Sequence, residues 1–181
     1  LLSTSQLQEV DNNGAKISYQ YDVNGNITSI ADNGKSISYE YDELNQLTRE
    51  NNQVLNKTII YAYDLGGNIT TKAEYAYTTG TLGTPQKTIP YSYEDATWKD
   101  KLTSYDGKVI TYDGIGNLLS YDGNHYAWEE GRNLTMIVGD QINATYKYND
   151  EGIRTEKTVD GVTTTYHLVG DKVSYETNGT D

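Results

Sequence analysis

One phrase recurs along this chain: "YDVNGNI" starts at Tyr21, "YDELNQL" at Tyr41, "YDLGGNI" at Tyr63 and "YDGIGNL" at Tyr112. A catalytic motif is normally stated once. Self-similarity at a near-fixed period instead marks stacked supersecondary units, so the repeat limits the fold before any single residue is considered. Ahead of these phrases lie alternating runs, "KISYQY", "SISYEY" and "TIIYAY", with "TIPYSY" ending at Tyr93 and "NATYKY" ending at Tyr148. Strand side chains alternate between faces, so Tyr19 shares a face with Tyr21, Tyr39 with Tyr41, Tyr61 with Tyr63, Tyr91 with Tyr93, and Tyr146 with Tyr148.

The phrase itself reads as turn chemistry. Asp22 is placed to accept hydrogen bonds from backbone amides just ahead of it, Gly25 supplies a positive φ, and Asn26 tolerates a neighbouring turn position. The same roles fall to Asp42, to Asp64, Gly67 and Asn68, and to Asp113, Gly116 and Asn117. After the turn "ITSIA" returns from Ile27 as a strand, and "DNGKS" from Asp32 holds an Asn-Gly pair, a strong signal for a two-residue hairpin. The expected class is all-β: repeated antiparallel hairpins forming a curved or spiralling sheet strip.

The period is close to twenty residues between Tyr21, Tyr41 and Tyr63, then about thirty to Tyr93. Residues 1–181 are accordingly read as one repeat array, with regular repeats over 14–72, an irregular insertion or long loop over 73–90 whose excess from Glu74 is a long loop or a hairpin protruding from the stack, and late-type repeats over 91–181. Pro90 falls inside a strand pattern, where it needs an edge or an amide turned away from the ladder. The chain opens at Leu1 without Met and is read as a piece of a larger protein.

Composition narrows the function. Lys plus Arg number 14 against 26 Asp plus Glu, a net charge of −12, which argues against nucleic acid as a partner because phosphate binding needs clustered cations. Eighteen tyrosines stand in for scarce aliphatic bulk, burying ring area while leaving hydroxyls wet. The chain has no Cys, which removes disulfides, thiolate nucleophiles and Cys-based zinc sites. No apolar run approaches the length of a membrane helix, so no membrane span is expected. His125 and His167 lack a nucleophile or zinc pattern, the recurring acids are serial where a catalytic dyad is singular, and "DVNGN" lacks the later glutamate of a calcium loop. No catalytic, cofactor-binding or metal residue is assigned, no cofactor is expected, and the chain is read as non-enzymatic.

Tyr21, Asp22, Gly25 and Asn26, with Tyr41, Asp42 and Leu47, Tyr63, Asp64, Gly67 and Asn68, and Tyr112, Asp113, Gly116 and Asn117, resemble the YD repeats of the RHS (rearrangement hotspot) family. The stretch "WKDKLTSYDGKVITYDGIGN" from Trp98, then "WEEGRNL" and "GIRTEKTVDGVTTTYHL", is similar to the late repeats of large secreted RHS proteins of Gram-positive bacteria, relatives of teneurin and toxin-complex shells. The resemblance covers nearly all of residues 14–175. It implies a β-strip that spirals into a hollow shell, secreted or at the cell surface, that encloses or displays a C-terminal toxin or effector. Implied partners are the remaining repeats of the same chain or another copy, through open sheet edges, and the toxin cargo. The family's C-terminal plug with its self-cleaving aspartate has no counterpart here, so no protease residue is carried over.

The most individual polar and aromatic residues are Trp98, Trp128 (which stands where a tyrosine is expected), Arg132 and Arg154. They are candidates for ligand or cargo contact, although Arg132 and Arg154 are first expected to ion-pair with acids such as Glu129 and Glu130 of neighbouring hairpins. The alternative function is a cell-surface carbohydrate-binding or adhesion module using exposed Tyr and Trp. Recurrence of the tyrosines in step with every strand favours the scaffold, because one binding site does not require it.

Overall fold

A computed structural model describes residues 6–178 of the chain. Every paired strand is antiparallel, and the described residues contain no helix. The chain divides into two compact units, Leu1–Lys101 and Leu102–Asp181.

The first unit holds β1 (Glu9–Asn12), β2 (Ala15–Tyr21), β3 (Ile27–Asp32), β4 (Lys35–Tyr41), β5 (Leu47–Asn52), β6 (Lys57–Tyr63), β7 (Ile69–Ala76) and β8 (Lys87–Ser92). Each strand pairs with its successor in sequence. The second unit repeats the scheme with β9 (Ser104–Tyr105), β10 (Lys108–Tyr112), β11 (Leu118–Tyr121), β12 (Asn124–Glu129), β13 (Asn133–Val138), β14 (Asn143–Tyr148), β15 (Arg154–Val159), β16 (Val162–Val169) and β17 (Lys172–Thr177). Such nearest-neighbour pairing is what a hairpin repeat produces.

Two kinds of turn recur. The tight one is a two-residue left-handed turn, as at Asn33-Gly34 with φ of 47° and 81°, which closes the pair Asp32↔Lys35. Asn13-Gly14, Asp106-Gly107, Asp122-Gly123 and Asp160-Gly161 have the same handedness. Both central residues of such a hairpin need φ above zero, which Gly adopts freely and Asn or Asp tolerates. The wider turn is the Tyr-Asp phrase.

A β-bulge accompanies each wide turn, and the alternation of tyrosines did not reveal it. Gln20 faces Ser29 while Tyr21 faces Ile27, so Thr28 is the extra residue. Thr48, Thr70, Leu119, Thr135 and Thr155 hold the equivalent place opposite Tyr41, Tyr63, Tyr112, Trp128 and Tyr148. The bulge hydroxyl often caps the break, with Thr48 Oγ1 donating to the Glu40 carbonyl at 3.1 Å and Thr135 Oγ1 to that of Ala127 at 3.2 Å. Ser174 does the same for His167 at 2.8 Å. Each bulge adds right-handed twist to its hairpin.

The cores are thin. In the first unit Ile59, Ala73 and Ile89 are buried together with Asn51, Asn52 and Thr58, and in the second Ala144 and Asn117 are buried. Pro90 lies on β8 opposite Thr71 of β7, and all four Cα partners of β8 belong to that one strand.

Within the irregular insertion expected over 73–90, the hairpin alternative is the one formed, β7 pairing with β8. Strand β7 continues to Ala76, β8 begins at Lys87, and the intervening residues fold back. Thr58 Oγ1 donates to the Thr78 carbonyl at 2.8 Å and accepts from the Thr78 amide at 2.9 Å, while Arg49 Nη2 donates to the carbonyls of Thr78 (3.0 Å) and Gly80 (2.9 Å). Thr58 is wholly buried, its hydroxyl lying also 3.3 Å from Asn51 Oδ1.

Candidate functional site

The repeated turn is the most regular chemical feature of the chain. Asp22 Oδ1 accepts from the amides of Asn24 (2.9 Å) and Asn26 (2.8 Å), and its Oδ2 accepts from Asn26 Nδ2 at 2.8 Å. The Gly25 amide donates to the Asp22 carbonyl at 3.2 Å with Gly25 at φ 91°. Asp64 receives Gly66, Asn68 and the Asn68 side chain, with Gly67 at φ 87°. Asp113 receives Ile115, Asn117 and the Asn117 side chain, with Gly116 at φ 89°.

Two turns vary the theme. Asp42 accepts from Leu44 and Gln46, and Asn45 replaces the glycine at φ 62°, a conformation Asn bears better than most residues. Asn149 replaces the aspartate, its Oδ1 accepting from Glu151 and Ile153. Hydrogen bonds from the Asn26 side chain hold the Asp22 carboxyl below its ordinary range, and those from Asn68 do the same for Asp64. Partial burial of Asp113 opposes its ionisation, but donors from Asn117, Ile115 and Gly116 outweigh it and the net shift is again downward.

These turns also bond to one another. Asn45 Oδ1 accepts from the side chains of Asn24 (2.9 Å) and Asn26 (2.7 Å) of the preceding turn. The second tyrosine of four of the five pairs reaches the repeat before it: Tyr21 donates to Leu7 (2.8 Å), Tyr41 to Ile27 (2.8 Å), Tyr63 to Leu47 (2.7 Å) and Tyr148 to Leu134 (2.9 Å), in every case at a backbone carbonyl. These hydroxyls are therefore not left to water, as amphipathic rings would suggest. The hydroxyls of Tyr41, Tyr63 and Tyr148 meet part-buried carbonyls next to a bulge, where the ladder cannot, whereas that of Tyr21 meets exposed Leu7 ahead of β1.

Trp128 joins the same series. Its Nε1 donates to the Leu118 carbonyl at 2.7 Å, so an indole N–H replaces the phenol where "WEEG" departs from the phrase. Arg132 Nη2 donates to the Ile115 carbonyl at 3.1 Å, and the Arg154 guanidinium lies 4.8 Å from the Tyr146 ring centroid. The expected ion pairs with Glu129 and Glu130 are not formed among the described residues. The guanidiniums instead take a turn carbonyl and an aromatic face, both good partners for a planar cation.

Trp128 and Arg132 meet across a concave surface of about 490 Å³ that they line with Tyr112, Tyr126, Leu118 and Leu134. A larger cleft of about 810 Å³ lies between the turn after β12 and that after β14, bordered by Glu129, Glu130, Tyr146, Asp150 and Glu151. Trp98 belongs to the first unit, half exposed, with Lys101 Nζ 5.7 Å from its ring. His167 stacks on Tyr175 at 4.1 Å. No group of three His, Cys, Asp or Glu suited to a metal ion occurs among the described residues, and they hold no helix long and apolar enough to cross a membrane.

The bulge residues and the carbonyls that receive the tyrosines were missed by sequence reasoning. A signal exists: threonine follows the first turn-facing residue of five returning strands, in "ITS", "LTR", "ITT", "LTM" and "RTE", and is the second residue of four of them and the third of β13.

No family model matches the chain. Two curated proteins, the tRNA nuclease WapA of Bacillus subtilis strain 168 and the tRNA3(Ser)-specific nuclease WapA of Bacillus spizizenii, are each 38% identical over 84 residues, 44% of this chain. That stretch is 4% of their length. A chain of the Photorhabdus luminescens Tc holotoxin pore superposes over 92% of this chain at a TM-score of 0.57 and 18% identity, 10% of its own length being covered. The two share a fold. The strip of sequential hairpins thus also occurs inside a much longer toxin component.

Proposed function

We propose that this chain is a non-catalytic YD/RHS-type segment of a large exported bacterial protein, forming part of a β-wall that encloses or displays a C-terminal toxin or effector. The observation that carries this reading is the tyrosine-to-carbonyl bond between successive repeats. A side chain spent on holding the preceding hairpin is unavailable to a substrate, and the arrangement gains meaning only as hairpins accumulate. The similarity to WapA nucleases and to a Tc holotoxin chain, both far longer than this segment, supports placement in a toxin-bearing polypeptide. The wall's partners are further repeats at its sheet edges and the cargo, and its place is outside the cell or on its surface.

The test follows the native product. An antibody raised against residues 105–138 is applied to medium, wall and cytosolic fractions of the producing cell, and the exported product is exposed to protease before and after denaturation. The reading expects a large exported polypeptide whose C-terminal part resists protease until the β-wall is unfolded. A cytosolic product, or a C-terminal part cleaved at once, would overturn it.

A second reading, carbohydrate binding, rests on the surface lined by Tyr112, Tyr126 and Trp128 with Arg132 at its edge. Sugar rings stack on such faces. Retention on a glycan array by the wild-type chain but not by Tyr126→Ala supports it, and indifference to every glycan removes it.

A further inference from the structure

Three Asn-Gly pairs lie wholly within the described residues: Asn13-Gly14, Asn24-Gly25 and Asn33-Gly34. All three are exposed turn residues. Asn-Gly is the dipeptide in which the following backbone nitrogen most easily reaches the side-chain amide, because glycine puts no Cβ in its way. The attacking species is the deprotonated nitrogen. An N–H held in a hydrogen bond loses its proton less readily and is less available to attack.

The three differ on this point. The Gly14 amide donates to Asp11 Oδ1 at 2.8 Å, and the Gly25 amide to the Asp22 carbonyl at 3.2 Å. The Asn24 side chain also donates to Asn45 Oδ1. The Gly34 amide has no acceptor among the described residues. Asn33 and Asn13 form a matched pair, since both begin two-residue left-handed turns, with φ of 47° and 53°. Asn33 Nδ2 likewise donates, to Asp32 Oδ1 at 2.7 Å, so side-chain restraint does not separate Asn33 from Asn24 and the following backbone amide does.

We propose that Asn33 is a site of spontaneous covalent modification, converting to aspartate and isoaspartate ahead of Asn13 and Asn24. The Gly34 nitrogen bonds to Asn33 Cγ, the Cγ–Nδ2 bond breaks, and ammonia leaves with the proton lost by the Gly34 amide. Water then opens the succinimide at either carbonyl, giving an α- or β-linked carboxylate; asparagine and water become acid and ammonia, with no redox partner. The β-linked product adds a backbone atom to a two-residue turn that sets the Asp32↔Lys35 register, so modification reports on and disturbs that hairpin.

The folded chain is incubated in mildly alkaline buffer, and the asparagine peptides are followed by mass spectrometry that separates the aspartyl isomers. Asn33 is expected to convert roughly two- to tenfold faster than Asn13 or Asn24, the span one hydrogen bond accounts for. In denaturant the three rates should converge, and Asp11→Ala should bring Asn13 up to the Asn33 rate in the folded chain. Conversion of Asn13 or Asn24 at or above the Asn33 rate, a ranking that persists in denaturant, or no response to Asp11→Ala would each overturn the assignment.

Discussion

Tyr41→Phe removes one oxygen and leaves the ring, so it isolates the inter-repeat bond. The hydroxyl donates to the Ile27 carbonyl at 2.8 Å in a partly buried setting. A neutral hydrogen bond contributes a net ~0.5–1.5 kcal/mol, and a carbonyl left unsatisfied at a partly dry site raises the loss toward ~2 kcal/mol. Tyr39 provides the control. It is on the same strand and face, and its hydroxyl has no bonding partner among the described residues, so Tyr39→Phe should cost no more than a few tenths. Urea unfolding followed by tryptophan fluorescence should show a lower midpoint for Tyr41→Phe at unchanged slope, and in a chain of this size ~1 kcal/mol corresponds to about 2–4 °C in Tm. Equal midpoints for the two variants would refute the claim that the Tyr41 hydroxyl ties its repeat to the one before it.

Three further outcomes follow. Trp128→Phe should destabilise the second unit by ~1–3 kcal/mol through loss of its bond to Leu118 and of ring area, with Trp128→Tyr recovering part of it, as thermal melts would show. Gly67→Ala forces a Cβ to 3.0 Å from Gln46 Nε2 at φ +87° and should cost ~1–2 kcal/mol; Gly14→Ala has open space and bears only the backbone penalty, and calorimetry on both separates crowding from φ. Stability should fall at both pH extremes. Asp22, Asp64 and Asp113 have folded values below the ordinary 3.8, so their contribution is present above that pH and fades as acid titrates them in the fold. Burial, assisted by Glu50, pushes Tyr61 up to about 12, so its contribution holds below pH 10 and is lost as pH rises toward 12, which denaturant midpoints across pH would trace.

The strands and the turns were legible in the sequence because both have short-range causes. Alternation of Tyr and Ile with polar residues marks a strand, and Asp followed three residues later by Gly marks the turn, as at Asp22 and Gly25. What escaped depends on register between strands. The bulge at Thr28 is invisible until Tyr21 is known to face Ile27, and the destination of the Tyr41 hydroxyl is fourteen residues away on another hairpin. The return of residues 77–86 onto Arg49 and Thr58 was hidden for the same reason, since nothing near Thr78 signals a buried partner twenty residues earlier. At the candidate contacts, the sequence picked out Trp128, Arg132 and Arg154 as unusual but misjudged the arginines, because carboxylates close in sequence were not the groups closest in space.

The most direct test of the central claim is a cryo-electron microscopy map of the native protein that carries this chain. The account predicts these strands continuing by edge pairing into further hairpins, as one wall around interior density. A discrete module with solvent beyond both sheet edges and no enclosed density would contradict it.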